Sequence, residues 1–290
     1  MKKIVKIIAW FGPWPKWFSL YLESCRWNPT IDFLIICDAP IPLEYPDNVK
    51  FVTYPFEAYR EFIAKRLRVT PKWDNPIKMC DIKPILGYLH EDLIAGYDYW
   101  AYGDIDVIYG DIRRFFGEKE LNYDVVSTHE HIISGHFALI RNTETMNRLF
   151  RRILHWRYLI QAKENKSFDE RIFSMMFIDE KRKKYSIHRL LIPRIGGAFL
   201  REQYSTSLRG LPWIDGSQNY PTTWLWKSGK LTADNAGDRE FLYVHFTHWA
   251  SCRWTGAPQA TWHGIDPLVR VSDRRPTAFT ISASGFGDMP

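Results

Sequence analysis

The sequence lacks any apolar run that approaches the roughly 20 residues needed to cross a bilayer. Its N-terminal stretch has two lysines and a short apolar run, but Lys6 interrupts that run and Pro13 and Pro15 end it. The run is too short for the apolar part of a secretory signal peptide. We therefore interpret the stretch as a first buried strand, and we expect any contact with a membrane to be peripheral.

Cysteine is also scarce, with four residues in a chain of 290. They are Cys25, Cys37, Cys80 and Cys252, and their wide spacing forms neither a CxxC pair nor a zinc-like cluster. The prediction is free thiols in a reducing compartment, the cytoplasm.

Two kinds of motif are missing as well: a GxxxxGK[ST] phosphate-binding loop, and the helix-turn-helix, zinc and aromatic RNA-binding patterns. Their absence argues against a P-loop phosphotransferase and against a nucleic-acid partner. The formal net charge of +6 and the pI near 9.0 nevertheless favour anionic partners such as nucleotides or acidic lipid head groups.

Aromatic residues, by contrast, are abundant at 16% of the chain, including 13 tryptophans. Aromatic side chains serve either a hydrophobic core or flat ligands such as sugar rings and nucleobases. The composition therefore leaves two interpretations open, a Trp-rich core and a carbohydrate or nucleotide site.

Short apolar segments typical of strands alternate with segments whose apolar residues recur every three or four positions, as in amphipathic helices. Up to Asp104 the predicted order is β-α-β-β-α-α-β, which indicates a mainly parallel, doubly wound sheet flanked by helices. The predicted strands are residues 5–11, 31–38, 48–55 and a strand ending at 104, and the predicted helices are residues 17–25, 57–67 and 82–94.

The second half of the chain continues this pattern less regularly. Its predicted strands are residues 123–131, 134–142 and 240–249, and its predicted helices are residues 143–160, capped by Asn142 or Thr143, and 168–177. The last stretch, residues 271–290, has no periodicity and is predicted to be a flexible tail.

The stretch WAYGDIDVIYG, residues 100–110, places Asp104 and Asp106 at the end of a buried strand. Because side chains at i and i+2 of a strand point the same way, the two carboxylates share a face and repel each other. A hard divalent cation such as Mg²⁺ or Mn²⁺ removes this conflict, since it prefers carboxylate and phosphate oxygens as ligands. The pair is a candidate clamp for a metal-bound diphosphate, and the alternative is two solvated acids in a turn.

This arrangement resembles the GT-A glycosyltransferases, which use nucleotide sugars and a D-x-D motif. More narrowly, DIKPILGYLHEDLIAGYDYWAYGDIDVIYGDI (residues 81–112) is similar to a bacterial group of glycosyltransferases linked to capsule and surface-polysaccharide synthesis, in which a Lys-Pro helix precedes a G-D-x-D strand end. The segments IIAWFGPWP, SGHFALIRN and HFTHW also match. The resemblance implies one GT-A-like catalytic domain over residues 1–270, with a nucleotide-sugar-binding half (1–110) and an acceptor half (111–270) that includes a C-terminal elaboration.

The resemblance also implies a metal ion, Mn²⁺ or Mg²⁺, bound by the D-x-D aspartates and a histidine near the C-terminus. HFTHW offers His245 and His248 for this role, and we prefer His248 because it is nearer the carboxyl end of the predicted strand. A structural histidine is the alternative for either. The implied metal ligands are thus Asp104, Asp106 and His248.

For the donor nucleotide, with a UDP-sugar as first choice, the resemblance implies contacts at the ends of strands and at a helix start. The residues concerned are Phe11, Gly12, Pro13, Asp38, Lys83 and Asp104. The alternatives are an ordinary turn for Gly12 and Pro13, a cap or solvated acid for Asp38, and a surface lysine for Lys83. A cation at a helix start is the physical reason to expect phosphate there.

A glycosyl transfer that inverts the anomeric centre needs a general base for the acceptor hydroxyl. The predicted catalytic residues are Asp169, Glu170 and His136, with Asp169 as the first choice of base or of carboxylate facing the sugar. Further candidates are His129, Glu130 and His131. For the two acids, stabilisation of a helix N-terminus is the alternative explanation.

A basic run consists of Arg148, Arg151, Arg152 and Arg157 together with residues 181–184. Such a run is either a solvated face or a surface that attracts anionic lipid or a lipid diphosphate acceptor. The sequence does not decide between them.

The sequence thus predicts a metal-dependent, hexosyltransferase-type enzyme of the bacterial cytoplasm, peripheral to the inner face of the membrane. It would move a sugar from a nucleoside diphosphate sugar to a hydroxyl of a surface polysaccharide or a lipid-linked glycan. Two alternatives stay open: a nucleotidyl- or phosphotransferase acting on sugar phosphates, and a non-catalytic glycan-binding protein with Trp and Tyr surfaces.

Overall fold

The computed structural model of the chain describes residues 1–178, 192–193, 195, 197–206, 212–246, 269–273, 275–282 and 284–289. Within these residues there are seven α-helices: α1 (Phe18–Arg26), α2 (Phe56–Leu67), α3 (Met79–Ile82), α4 (Leu86–Leu89), α5 (Ile112–Phe115), α6 (Glu144–Asn147) and α7 (Trp156–Gln161). Short 3₁₀ turns cover Pro76–Lys78, Lys83–Ile85, Glu120–Asn122, Leu149–Arg152 and Phe173–Met176, and a π-helical turn covers Phe168–Ile172.

The strands of the described residues are β1 (Ile4–Trp10), β2 (Ile31–Cys37), β3 (Val49–Thr53), β4 (Tyr99–Gly103), β5 (Val107–Tyr109), β6 (Val125–Ser127), β7 (Phe137–Arg141), β8 (Ala198–Leu200), β9 (Thr223–Lys227), β10 (Lys230–Ala233), β11 (Tyr243–His245), β12 (Val269–Arg270), β13 (Ala278–Ser282) and β14 (Gly285–Asp288). They form a seven-stranded sheet, a five-stranded sheet and a two-stranded ribbon.

The large sheet has the strand order β3-β2-β1-β4-β7-β6-β8. Strands β3, β2, β1 and β4 are parallel neighbours, β7 is antiparallel to both β4 and β6, and β8 is parallel to β6. The predicted mainly parallel α/β sheet flanked by helices is therefore confirmed. Since β1, β2 and β4 are parallel, their carboxyl ends meet at one edge of the sheet.

Both faces of this sheet are covered, which is why β1 and β2 consist almost entirely of apolar residues. On one face Ile4, Ile8 and Phe33 pack with α1 and with the five-stranded sheet. On the other face Val5 and Ile7 pack with α2, α3, α4, α6 and α7. The alternation of a strand thus divides the core into two layers of side chains.

The five-stranded sheet has the order β10-β9-β13-β14-β12 and contains the end of the chain. Phe279 and Ile281 of β13 and Phe286 of β14 are buried against the aromatic residues of β9. This differs from the flexible tail predicted for residues 271–290. Long-range pairing with β9, which local periodicity does not reveal, gives these residues their regular structure.

The predicted helix over residues 143–160 is divided into three parts. Thr143 caps α6 as expected, with its hydroxyl accepting from the Met146 N–H at 3.3 Å. Phe150, Ile153 and Trp156 are all buried and recur every three residues. In one continuous α-helix, three residues fall about 60° short of a full turn, so the side chains could not all point to the core. The extended backbone of Ile153 (φ −83°, ψ 108°) returns the chain to the core.

The predicted helix over residues 82–94 is likewise broken: it consists of a 3₁₀ turn, the short helix α4 and further turns over residues 90–96. Pro84 lies in the 3₁₀ turn Lys83–Ile85, where its missing N–H is tolerated. Gly87 of α4 lies against the indole of Trp100 so closely that a Cβ there would collide with it. No helix in the described part of the chain combines the length and apolar composition that crossing a bilayer requires.

The first prediction tests the C-terminal strands. Phe279→Ala should lower the free energy of unfolding by about 3–5 kcal/mol, because it empties a fully buried site stacked on Trp226 at 4.8 Å between ring centroids. Denaturant unfolding measures this change. Leu43→Ala, at an exposed loop position, is the control and should shift stability by less than about 0.5 kcal/mol. A Phe279→Ala protein as stable as wild type would mean that these strands do not pack on β9.

The second prediction concerns the pH dependence of stability. Burial, with Arg66 nearby, lowers the pKa of His90 from 6.5 to about 4, and the ring is stacked on Tyr59 and within 2.8 Å of its hydroxyl. Since the unfolded chain takes up the proton first, stability present above about pH 6.5 is lost as pH falls toward 4.

His90→Gln removes this loss. From pH 8 to pH 4.5, wild type should therefore lose about 2–3 kcal/mol more free energy of unfolding than the variant does. Urea unfolding of both proteins at the two pH values measures this. A difference independent of pH would show that His90 titrates normally in the folded state.

Candidate active site

The D-x-D residues occupy a short turn between β4 and β5, at the carboxyl edge of the large sheet. Gly103 precedes the turn because there is no space for a side chain: a Cβ would collide with the His136 carbonyl and with the side chain of Lys6. The Trp17 indole donates to the Ile105 carbonyl at 3.0 Å and so fixes the middle of the turn. Asp104 and Asp106 thus project from a constrained backbone.

A histidine reaches these aspartates because β5 pairs antiparallel with β11. In that ladder His245 lies opposite Val107, and the Phe246 N–H donates to the Asp106 carbonyl at 3.1 Å. One ligand atom each from Asp104, Asp106 and His245 lies within 4.8 Å of the others. A long-range strand pair therefore completes the group that the D-x-D turn begins.

The group has the character of a metal site. Asp106 Oδ2 lies 3.5 Å from His245 Nε2, whereas Asp106 Oδ1 is buried and has no hydrogen-bond partner among the described residues. A buried carboxylate oxygen without a partner is costly in a folded protein. Two carboxylates and an imidazole suit Mn²⁺ or a similar divalent cation, so these residues fit the implied metal.

The two aspartates differ in their proton affinity. Burial and the neighbouring Asp106 raise the pKa of Asp104 above its ordinary value, although Lys83 opposes the rise. Burial would also raise the pKa of Asp106, but His245 outweighs it and holds that pKa below the ordinary value. Asp106 is thus the carboxylate held in its charged form.

Lys83 joins the D-x-D turn to a third acid. Its Nζ lies 2.7 Å from Asp104 Oδ1 and 3.5 Å from Asp169 Oδ2, with only 8% of its side chain exposed. Burial lowers the pKa of Lys83, but the two carboxylates raise it well above the ordinary value. The lysine is therefore a buried, permanent cation between the predicted metal-binding and catalytic acids.

Asp169 is held in place by Asp81, which the sequence analysis did not single out. Asp81 is fully buried, pairs with Lys78 at 2.7 Å and accepts the backbone N–H groups of Lys166 and Phe168 at 2.8 and 2.7 Å. These bonds fix the start of the π-helical turn Phe168–Ile172. Burial raises the pKa of Asp169 to about 7, although Lys83 opposes the rise.

The D-x-D turn, Lys83 and Asp169 face one cavity of about 740 Å³. Seven of the predicted site residues are among those that line it: Phe11, Lys83, Asp104, Asp106, His136, Asp169 and Glu170. His245 lines it as well, and the rings of Trp10 and Trp17 form part of the wall. The residues predicted from distant parts of the chain are therefore brought together.

Three residues predicted to contact the nucleotide, Gly12, Pro13 and Asp38, are not among the described residues that line this cavity. The Gly12 N–H donates to Asp38 Oδ1 at 2.7 Å, and Gly12 has φ of 112°, where glycine is favoured. Asp38 thus fixes the turn at Gly12, and a contact of these three residues with a nucleotide stays a prediction.

His136 lines the cavity from a buried position. Its ring stacks on that of His245 with 4.0 Å between centroids, and its Nε2 lies 3.0 Å from the Thr206 hydroxyl. Burial holds the pKa of His136 well below its ordinary value. The geometry places this residue as a support for His245, and His248, our preferred ligand, lies outside the described residues.

The remaining base candidates are not among the described residues that line the cavity. His129 is buried and has Nδ1 2.7 Å from Glu202, and the exposed side chains of His131 and Glu130 lie 3.0 Å apart. Neither pair is part of the group of Asp104, Asp106 and His245.

Lys6 is a site residue that the sequence analysis did not identify. It is fully buried beneath the D-x-D turn, donates to the Asp104 carbonyl at 3.2 Å and contacts the Tyr109 hydroxyl. Burial lowers its pKa to about 7, although Asp104 opposes the fall. The one signal for it was a lysine inside an otherwise apolar strand, which costs free energy unless a partner is present.

A family model described as "Family of unknown function (DUF6625)" matches residues 6–260 of the chain. No curated protein matches the sequence.

Several solved structures are similar to parts of the fold. Galactosyltransferase LgtC in complex with donor and acceptor sugar analogs has 12% identity and a TM-score of 0.35, with 57% of this chain and 68% of that chain covered. The glycosyltransferase GlyE of Streptococcus pneumoniae TIGR4 has 12% identity and a TM-score of 0.33, with 67% and 45% covered. Mouse xyloside xylosyltransferase 1 in its apo form has 7% identity and a TM-score of 0.38, with 72% and 88% covered. Such low values transfer neither a substrate nor a mechanism.

The third prediction tests the metal group. Asp106→Asn should weaken Mn²⁺ binding by at least about 100-fold, because loss of a mere supporting residue around a metal ligand already costs 10–100-fold. Titration of Mn²⁺ followed by electron paramagnetic resonance measures the affinity. Without metal the variant should fold but be less stable than wild type, since the lowered pKa of Asp106 means that the fold favours its charged form.

Asp92→Asn, at an exposed loop position, removes the same charge away from the site and should bind Mn²⁺ as wild type does. Equal Mn²⁺ affinity in wild type and Asp106→Asn would contradict the assignment.

Proposed function

The chain belongs to DUF6625, a family of unknown function, and from its site we propose that it is a metal-dependent glycosyltransferase. The single observation that carries the proposal is the shared cavity, in which Asp104, Asp106 and His245 face the same space as Lys83 and Asp169. A nucleoside diphosphate sugar has the two features that this space suits. Its diphosphate matches a metal group with an adjacent cation, and its sugar matches a buried carboxylate a short distance away.

Asp104, Asp106 and His245 are the residues that would hold Mn²⁺ or Mg²⁺. When bound, such an ion neutralises the negative charge that develops on a leaving diphosphate. Asp106 contributes the carboxylate that His245 keeps charged. Asp104 is more exposed, and Lys83 orients both of its oxygens at 2.7 and 2.9 Å.

Lys83 has two roles in this proposal. Its ammonium group attracts the diphosphate electrostatically in a site where burial strengthens charge interactions. Its contact with Asp169 also sets the position of that carboxylate at 3.5 Å. Because Lys83 contacts both Asp104 and Asp169, a diphosphate that binds Lys83 would affect the position of both carboxylates.

Asp169 is the proposed carboxylate that faces the sugar or accepts the proton of the acceptor hydroxyl. Its pKa of about 7 lies near the pH at which such a group exchanges protons most effectively. Glu170 has a different task, since its Oε1 accepts the Gly135 N–H at 3.1 Å and so connects the π-helical turn to the loop before β7. A side chain on Gly135 would collide with both acids.

The proposed donor is a UDP-sugar, and the proposed acceptor is a hydroxyl of a bacterial surface polysaccharide or of a lipid-linked glycan. Trp10, Phe11 and Trp17 support a ligand with flat or ring-shaped parts, because aromatic walls favour sugar rings and nucleobases. The proposed location of the enzyme is the cytoplasm, where nucleotide sugars would be its donors and where free thiols persist. Cys25 and Cys37 are buried free thiols, in line with this proposal.

The fourth prediction tests the function. Wild-type protein with Mn²⁺ should release UDP from at least one UDP-sugar in a panel of nucleotide sugars. Asp169→Asn should lower this rate by about 10²–10⁴-fold, the usual contribution of a general acid or base, while UDP with Mn²⁺ still raises the melting temperature. Asp92→Asn is the charge-matched control and should keep the full rate.

The identity of the products separates this proposal from its rival. Pyrophosphate released from nucleoside triphosphates and sugar phosphates would identify a nucleotidyltransferase. Glycan binding without any response to nucleoside diphosphates and Mn²⁺ would identify a binding protein. Either result would replace the proposed function.

A further inference from the structure

A basic surface lies on the segment that follows β7 and contains α6 and α7. Between residues 145 and 163 the chain has Arg148, Arg151, Arg152, Arg157 and Lys163 and not one acidic residue. Arg148 is neutralised locally, by Glu144 at 2.8 Å and Glu91 at 3.6 Å. Arg151, Arg152 and Arg157 are exposed, and among the described residues no acid forms an ion pair with any of these three.

Two large apolar side chains project among these arginines. Leu154 is 72% exposed and Tyr158 is 62% exposed, whereas their neighbours Ile153 and Trp156 are buried and anchor the backbone. The guanidinium of Arg157 lies 4.5 Å from the centre of the Trp156 ring, and this contact holds the group at the surface. The chain therefore presents arginines and apolar groups together on one ordered face.

This face is continuous with the rim of the cavity. The Lys166 ammonium lies 5.8 Å from the centre of the Tyr158 ring. Its neighbours in the chain, Asn165 and Ser167, both line the cavity. We call the group of Arg151, Arg152, Leu154, Arg157 and Tyr158 the arginine-rich face; Lys166, which pairs with Glu164 at 3.3 Å, joins this face to the rim. A molecule bound on this face lies next to the rim of the cavity.

We propose that the arginine-rich face docks on an anionic phospholipid bilayer. The inference rests on the proposed function, because it identifies the acceptor as one presented at a membrane surface. Guanidinium groups pair with lipid phosphates, and basic residues near an anionic leaflet each add to the attraction. A soluble polyanion would satisfy the arginines but would leave Leu154 and Tyr158 in water, whereas a bilayer interface takes up both kinds of group.

Sedimentation with phospholipid vesicles tests the proposal. Wild type should bind vesicles with 30% phosphatidylserine in phosphatidylcholine, bind pure phosphatidylcholine much more weakly, and lose affinity as salt is raised from 0.1 to 0.5 M. Arg152→Glu combined with Leu154→Ser should lower the partition coefficient at least tenfold, since each unit of charge near the surface is worth about fivefold. Both positions are exposed, so the variant should melt as wild type does.

Lys50→Glu combined with Leu43→Ser is the matched control. Lys50 is exposed on β3, and Leu43 is exposed on the loop before it. As in the test variant, one basic residue becomes Glu and one exposed leucine becomes Ser. This control should bind vesicles as wild type does. Equal losses in the two double variants, or none in either, would overturn the proposal, as would binding to heparin that falls with Arg152→Glu while vesicle binding does not.

Release of UDP without vesicles is measured on the same proteins. The Arg152→Glu, Leu154→Ser variant should keep the wild-type rate, because neither residue lines the cavity. A wild type that turns over donor but ignores vesicles would contradict the membrane inference alone. Vesicle binding without donor turnover would contradict the proposed function alone.

Discussion

The repulsion between Asp104 and Asp106 is the constraint around which the rest of this structure is arranged. Two carboxylates at alternate positions of one rigid turn can both stay charged only if positive groups surround them. The chain provides one permanent cation, Lys83 from the turn before α4, and it brings Lys6 of β1 and His245 of β11 against the same turn. The order of the central strands, with β4 beside β1, is what allows a lysine of the first strand to lie beneath a turn about a hundred residues later.

That arrangement explains which site residues could be predicted from the sequence. The D-x-D pair, Lys83 and Asp169 could be found because each lies at the end of a predicted element, where parallel strands bring loops together. Lys6 could not be assigned from its position alone, since the partner of a buried lysine is visible only once the strand neighbours are known. The position of His245 beside the D-x-D turn likewise depends on the register of β11 against β5, which no local pattern encodes.

The fold shows the same division between local and long-range information. The first four strands and two helices follow their apolar periodicity closely, because each is a local unit of a parallel sheet with both faces covered. The five-stranded sheet was not predicted, since β9 pairs with β13 some fifty residues away and their apolar residues are separated by loops. The predicted helix over residues 143–160 failed where Phe150, Ile153 and Trp156 recur every three positions, because a continuous α-helix would rotate each of them about 60° away from the one before it.

The charges of the site also bear on the order in which ligands would bind. Asp104, Asp106 and Asp169 face a cavity in which Lys83 is the permanently charged cation among the described lining residues. A diphosphate entering alone would bring further negative charge toward three carboxylates, and a divalent cation entering alone would meet the field of Lys83. When both bind, the charge of the divalent cation offsets much of the charge of the diphosphate. Each ligand should therefore strengthen the binding of the other, and by linkage the factor is the same in both directions. Lys83 sets the size of that coupling, because its contacts with Asp104 and Asp169 are the ones a diphosphate would compete for.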